Sequence, residues 1–555
     1  MSYLLPARKI TRKVNQQAAR TKTVQFPIPV KGWNTEQALA EMEPGFAPVF
    51  DNWYPDPDGI RPRFGSVSHA TGLVNDVNSL MSYISGSARK LFGAAGANIY
   101  DVTSSGAVGA AVFATATSDK WQSVNFATSG GQFLIACNGV DHPINYNGTA
   151  FASTPAITGV TGGASSLVNV FSSQSRLFFC QLNSASVWYL SASSIGGAAT
   201  ELPLGALLTK GGAIIAGLTW STDSGAGMDD RTAFVSSEGE VLLFQGTDPS
   251  STTTWSLKGR YMIGKPLGYR CLAKFGGDIA ILTQDGLISL GASMNLDRTA
   301  SQQAALTRNI RKAYADAVDG NASTFGWQTV GFPGSQMVIV NVPSVSTNVA
   351  QQYVMNTLNG AWTRYRGMNA LCWIEHDGAV YYGKADGEVW QAETGSLDGS
   401  APIELFAVSS FTGLDDPSAL KTAATVRMVW KGSRSVPIYL AIATDYNLDP
   451  TFEAYEATFT DGAYFTWDVS DWDATSWPPE TEVGASTDSL FWNVGLWNER
   501  FWAGGSEINN QVYSVYGSGQ ALSIAFRYDM EGSAGRDPVT KIFRFDLTYE
   551  AGEPL

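Results

Sequence analysis

The sequence predicts an all-β chain, a β-propeller followed by a further β-rich domain. Three observations carry that expectation. The composition is that of tightly turned β structure, with 57 Gly, 12% aromatic and only 15% charged residues, where globular proteins average about 25% charged. Glycine supplies the positive φ of hairpin turns, and aromatic rings cover pleated surfaces. A hairpin of two apolar strands around a short turn recurs along the chain, and it returns at roughly 40–60 residues, the period of radially repeated blades.

The hairpins fall in order. Residues 89–102 (RKLFGAAGANIYDV) read strand, Ala-Gly turn, strand, and residues 132–146 (QFLIACNGVDHPINY) do the same through Asn-Gly. Residues 176–190 (RLFFCQLNSASVWYL) and 232–244 (TAFVSSEGEVLLF) follow. Residues 278–290 (DIAILTQDGLISL) and 379–390 (AVYYGKADGEVW) turn through Asp-Gly. A blade cannot bury both faces alone, so neighbours stack around an axis. Six hairpins suggest about six blades within residues 75–395. A β-sandwich also repeats strands, but it rarely sustains one hairpin layout over so long a stretch.

Helical periodicity is scarce. Residues 299–317 (TASQQAALTRNIRKAYADA) place Leu306, Ile310 and Tyr314 on one face and predict a helical insertion. Residues 35–43 suggest a shorter helix capped by Asn34 or Thr35. After residue 395 longer alternating strands appear, including 424–430 (ATVRMVW), 436–442 (VPIYLAI) and 542–549 (IFRFDLTY). Trp467, Trp472, Trp477, Trp492, Trp497 and Trp502 crowd this stretch, as a core or an interface belt. The chain thus divides into an arm (1–31), an extended ribbon (32–74), the propeller (75–395) and a C-terminal β domain (396–555).

Charge is uneven. Residues 1–31 hold Arg8, Lys9, Arg12, Lys13, Arg20, Lys22 and Lys31 and no acid, which leaves 29 basic against 50 acidic residues, a net −21, for the rest. The arm reads as a solvated tail, or as one that docks on an acidic neighbour or on DNA phosphates. The acidic body argues against a DNA-gripping protein, which needs excess Lys and Arg. No apolar run approaches the roughly 18 residues of a spanning helix, and no secretory signal or membrane anchor is expected.

Chemistry is hard to find. Cys137, Cys180, Cys271 and Cys372 are isolated in apolar stretches without a CxxC and read as buried reduced thiols. His69, His142 and His376 lack metal-ligand spacing and read as surface-loop residues. No GxSxG elbow occurs, and Gly264-Lys265 is followed by Pro266 where a phosphate loop needs Ser or Thr. Asp56-Pro-Asp58-Gly59 and Asp471-Trp-Asp473 could hold a cation through oxygens, but tight turns explain both. Residues 246–255 (GTDPSSTTTW) depart from the Asp-box of propeller glycosidases by lacking its glycine. The expectation is a non-enzyme with no catalytic site, metal or cofactor.

Residues 32–65 (GWNTEQALAEMEPGFAPVFDNWYPDPDGIRPRFG) resemble the opening of the tail nozzle, or tail tubular, proteins of short-tailed bacteriophages. The matching residues are Pro44, Gly45, Asn52, Tyr54, Pro55, Gly59, Arg61, Pro62 and Gly65. Residues 239–311 and the Gly-Arg-Asp-Pro before the last strand are similar to tail proteins of the same kind. The resemblance implies a virion structural protein in a hexameric ring below the head-tail connector, with propellers outside and a β platform lining the channel. It would retain packaged DNA and conduct it during ejection without binding it specifically, and tail fibres could dock on it. In that setting Arg8, Lys9, Arg12, Lys13, Arg20 and Lys22 of the arm would contact neighbours. So would Pro44, Gly45, Asn52, Trp53, Tyr54, Arg61 and Arg63 of the ribbon. The alternatives are a receptor- or glycan-binding propeller, or a glycan-degrading one.

Overall fold

The structure, a computed structural model, describes residues 21–223, 228–251, 253–294, 298–343, 350–432, 438–452, 507–530 and 540–554. The chain is a β-propeller joined to a two-sheet β platform. Antiparallel sheets follow one another along the sequence as blades. Blade one is Val77–Ser85, Ala88–Ala95 and Asn98–Asp101. Blade two begins at Gln122–Thr128, blade three at Leu167–Ser173 and blade four at Ile214–Asp223, each with four strands. Blade five starts at Leu272–Phe275, blade six at Gln328–Phe332 and blade seven at Ala370–His376.

Each first strand lies beside the first strand of the next blade, and the seventh returns to the first. The cycle therefore closes. Apolar clusters fill the gaps between blades. Phe92 and Met81 meet Trp121 and Leu134 between blades one and two. Phe171 and Phe178 meet Phe234 and Phe244 between three and four, and Val77 and Leu80 meet Cys372 and Val389 between one and seven. Burial between blades holds the ring, because a single blade leaves both faces wet.

Ring closure uses a strand from the ribbon. Ser66–Thr71 pairs antiparallel with Val389–Ala392, Ser66 opposite Ala392 and Ala70 opposite Val389. The last blade thus takes its outer strand from residues that precede the first, and the propeller begins at 66 in this pairing.

Seven blades stand where the hairpins suggested six. Each of the six hairpins forms the second and third strands of one blade. The seventh, Met337–Val342 with Gln351–Asn356 in blade six, joins its strands through Pro343 and a Ser/Thr/Asn-rich connection without glycine. The expected turn signal is therefore missing.

The expected long helix is broken into Arg298–Gln303 and Arg311–Val318 around a 3-10 turn at Arg308–Ile310. Leu306 N–H donates to Leu287 O at 2.9 Å, and the Thr307 hydroxyl accepts from Leu287 N at 3.2 Å. Bonding to the outer strand of three-stranded blade five outweighs helix propensity there. Residues 35–43 form turns. Asn34 Oδ1 accepts from Glu36 N and Gln37 N at 3.0 and 3.1 Å, and Thr35 N donates to Asn309 O at 2.8 Å. The Asx turn satisfies the donors a helix would have used.

The platform draws on both chain ends. One sheet contains Glu507–Gly519, Ala419–Gly432, Lys541–Pro554, Gly59–Pro62 and Trp53–Asp56, with Thr21–Phe26 against Lys541–Pro554. The other contains Val49–Asp51, Ile403–Val408, Leu522–Met530 and Ile438–Thr444. It continues into blade six through the parallel pairing of Arg364 with Asp51. Trp53, Trp430, Phe526 and Phe545 fill the space between the two sheets. The tryptophan cluster from 467 to 502 and Asp471-Asp473 lie outside the described residues.

The four cysteines are buried free thiols. Two histidines correct the expectation of surface loops. His69 and His376 sit in strands, and His376 is buried with Nδ1 at 2.8 Å from the Ser82 hydroxyl. His142 is exposed in a loop. No helix among the described residues is long and apolar enough to cross a membrane.

Candidate functional site at the propeller–platform joint

The ribbon makes the joint. Its strands enter both platform sheets and then close blade seven, so a chain of extended segments with tight bends is required. Asn52 takes one such bend at φ 61, a left-handed conformation that asparagine tolerates better than most residues. Its side-chain amide makes three hydrogen bonds. Nδ2 donates to Glu404 O at 2.7 Å, and Oδ1 accepts from Arg63 Nε at 2.9 Å and Arg366 N at 2.8 Å.

Arg63 has no exposed side-chain surface. Nη1 donates to Phe64 O at 2.9 Å and Asp398 Oδ1 at 3.1 Å, while Nη2 donates to Arg366 O at 2.9 Å and to Asp398 Oδ2. Asp398 also accepts from the Ser66 hydroxyl at 2.8 Å, and Tyr382 of blade seven donates to Ser66 Oγ at 2.9 Å. Beside this network Arg364 forms a two-point pair with Asp51, Nε to Oδ1 at 2.6 Å and Nη2 to Oδ2 at 2.7 Å. Such forked pairs fix geometry as well as charge.

A cleft of about 640 Å³ opens here, lined by Asp51, Asn52, Arg63, Arg366, Asp398 and Arg527 among others. Its buried carboxylates are held by guanidinium groups. That arrangement clamps two bodies together through paired charges.

Tyr54 and Arg61 stand on the other side of the ribbon. The Arg61 guanidinium lies 4.3 Å from the Tyr54 ring centre, and Tyr54 OH donates to Gln336 O at 3.1 Å. Trp53 is fully buried, edge-on to Phe526 at 5.2 Å. Next to them Glu393 has both carboxylate oxygens sealed from solvent without a hydrogen-bond partner, and the buried Tyr365 OH is likewise unpartnered. Burial pushes the Glu393 carboxyl up to about 7, against the opposing pull of Arg61 and Arg63.

The ribbon expectations need correction in one respect. Asn52, Trp53, Tyr54 and Arg63 are brought together, but their side chains are buried within their own chain and are not offered to a neighbour. Their hydrogen bonds and apolar contacts are spent on the joint. Pro44 is exposed and Gly45 buried at a separate edge, where Lys31 N donates to Gly45 O at 2.8 Å. Lys22 pairs with Asp415 of the same chain at 2.8 Å, and Arg8, Lys9, Arg12, Lys13 and Arg20 lie outside the described residues. Asp51, Arg364, Arg366, Glu393 and Asp398 escaped the sequence reading, because no local motif links residues so far apart.

The candidate cation turn is filled from within. Lys541 Nζ sits 3.0 Å from Asp56 Oδ2 and also contacts Asp58, whose carboxyl it holds below the usual range. Among the described residues no cluster of three His, Cys, Asp or Glu side chains could hold a metal.

No family model matches the chain, and no curated protein matches it. Among solved structures it is similar to Raptor from Chaetomium thermophilum, at 10% identity and TM-score 0.35, covering 61% of this chain and 29% of that one. The chain spans less than a third of Raptor's length. It is also similar to a quinonprotein alcohol dehydrogenase-like protein from Bacteroides thetaiotaomicron, at 10% identity and TM-score 0.34, covering 58% and 70%. A third is BBS1N in complex with ARL6DN, at 10% identity and TM-score 0.26, covering 67% and 97%. At these scores the likenesses carry no argument, and the propeller rests on the closed cycle of sheets. What that fold supplies is a rigid disc suited to a binding or scaffold role.

Proposed function

We propose that the protein is a structural subunit of a short-tailed bacteriophage tail. Six copies form the distal ring, the nozzle, which retains packaged DNA and conducts it at ejection. One observation carries this reading. The ribbon that resembles tail nozzle proteins is the segment that welds propeller to platform, through the buried Arg63–Asp398 pair and the Ser66–Thr71 closing strand. A ring that withstands packaged DNA needs each subunit to move as one body, and this joint supplies that. The net −21 beyond residue 31 favours a wall past which DNA slides without sticking.

In this reading the partners are further copies of the chain, joined head to tail as ring closure demands. The head-tail adaptor lies above, tail fibres dock on the propellers, and viral DNA passes through the lumen unbound. The protein resides in the virion and performs no catalysis. The test is native mass spectrometry and cryo-electron microscopy of the purified chain mixed with the adaptor of its own virus. Rings of defined stoichiometry on the adaptor support the reading. A chain that stays monomeric and never joins the adaptor overturns it.

A further inference from the structure

The two most exposed large apolar side chains among the described residues stand on one platform strand, Glu507–Gly519, with Tyr516 at 78% and Ile508 at 67%. Val512 between them is 55% exposed. Their even spacing along the strand puts all three on one face, with only the uncharged Asn510 and Ser514 in the same row. Tyr513, on the opposite face, is buried. Lone apolar residues are common on surfaces, but a row of them marks a place where another body docks. End strands of sheets are otherwise blunted by Lys or Pro, and this strand has neither.

The same face is basic where it meets the next strand. Arg427 lies directly opposite Val512, and Lys431 opposite Ile508, on Ala419–Gly432. Opposite residues in an antiparallel pair share a face. Arg427 and Arg544 divide the single carboxylate of Asp546 between them, and Lys431 has no ion pair among the described residues. Apolar knobs thus stand beside uncompensated positive charge, in a chain whose acids outnumber its bases by 50 to 36.

A hollow of about 480 Å³ lies at the other end of the same sheet. The sheet runs in the order Glu507–Gly519, Ala419–Gly432, Lys541–Pro554, Gly59–Pro62, Trp53–Asp56. Pro57, in the turn between the last two strands, lines the hollow with Val30 and Phe46. Four strand spacings, roughly 19 Å, separate the two ends. Leu358, 62% exposed, flanks the lining residues Asn359 and Gly360. Negative charge is left over at the rim. Glu43 is matched by Lys31 at 3.0 Å, and Glu36 by Arg311, while Glu41 is exposed with no ion pair among the described residues.

Knobs at one end of a subunit and a hollow at the other meet when copies associate head to tail, and such a contact repeats until a ring closes. We propose that the exposed face of Glu507–Gly519 in one copy seats in the Phe46–Pro57 hollow of the next copy, with Tyr516 as the central knob. Arg427 and Lys431 then face Glu41 across the seam, and opposite charges fix the register of docking. This contact presupposes the ring proposed above and supplies the surface that closes it.

Native mass spectrometry of the full chain over a range of concentrations, with the adaptor of its own virus present, tests the contact. Tyr516→Ser on one side and Leu358→Ser on the other should each raise the concentration needed for rings roughly thirtyfold, the loss of one interface hot spot. Both side chains are exposed, so Tm should stay at the wild-type value. If one variant melts low, the other decides. Val74→Ser, 56% exposed in the loop before blade one and outside both surfaces, should change neither readout. Glu41→Lys should weaken assembly, and adding Lys431→Glu should restore it, a rescue that a fold defect would not show. Rings at the wild-type concentration in either well-folded variant overturn the contact and leave the ring reading standing. A wild type that makes no rings overturns both.

Discussion

Arg63 and Asp398, 335 positions apart, meet in a two-point ion pair at the base of the propeller–platform cleft. The guanidinium also ties Asn52, Phe64 and Arg366, so one side chain links the ribbon, the exit of blade six and the entry to the platform.

Replacing Arg63 by Met should therefore destabilise the chain strongly. Removing one partner of a buried pair costs about 3–5 kcal/mol, because the other charge stays buried and alone. Arg63→Met with Asp398→Asn should recover part of that loss. Urea unfolding measures both. The single variant should also separate the transition into two, if the joint is what couples propeller to platform.

Gly65 carries a second prediction. A Cβ built there would lie 2.0 Å from Leu397 O, a backbone atom. Gly65→Ala must push the two chain segments apart and should cost about 1–3 kcal/mol or more. The thermal midpoint reads it, and Gly109→Ala, whose Cβ would meet nothing within 4 Å and whose φ is not left-handed, serves as the comparison.

Glu393 predicts a pH dependence. Its carboxyl rises from 4.5 to about 7 through burial. A raised carboxyl makes the folded state hold its proton longer than the unfolded one. Its contribution is therefore fully present below the unfolded value and is lost as pH climbs through about 7. The full loss corresponds to about 3 kcal/mol. Glu393→Gln should remove that dependence and be more stable than the wild type at pH 8, though not at pH 4. Chemical denaturation at the two pH values checks the sign.

Ser66–Thr71 closes the ring, and its removal should open it. A chain starting at residue 76 should lose cooperative unfolding and near-ultraviolet circular dichroism, because the face of Val389–Ala392 loses its partner and Ala70 leaves the cluster between blades seven and one. A chain starting at residue 21 keeps every described strand and should melt with the wild type.

Much of the propeller was legible because in six of the seven blades the hairpin of second and third strands carries its own local signal. Residues 132–146 and 278–290 announce themselves by a glycine turn between apolar runs. Blade six hid because Met337–Val342 and Gln351–Asn356 are joined without one. Closure was invisible for a different reason. Nothing in SVSHAT marks it as a partner of VWQA more than three hundred residues on. The joint followed the same rule. Asn52, Tyr54, Arg61 and Arg63 drew notice as a turn-rich ribbon, while Asp51 and Asp398 matter only through long-range pairing.

The borrowed closing strand also orders events during synthesis. A ribosome delivers Ser66–Thr71 early, yet its mate Val389–Ala392 emerges only after every other blade. Thr21–Phe26 waits longer still, for Lys541–Pro554 at the far terminus. The nascent chain therefore carries two unpaired ribbons through most of translation, and a stop before residue 389 leaves both without mates.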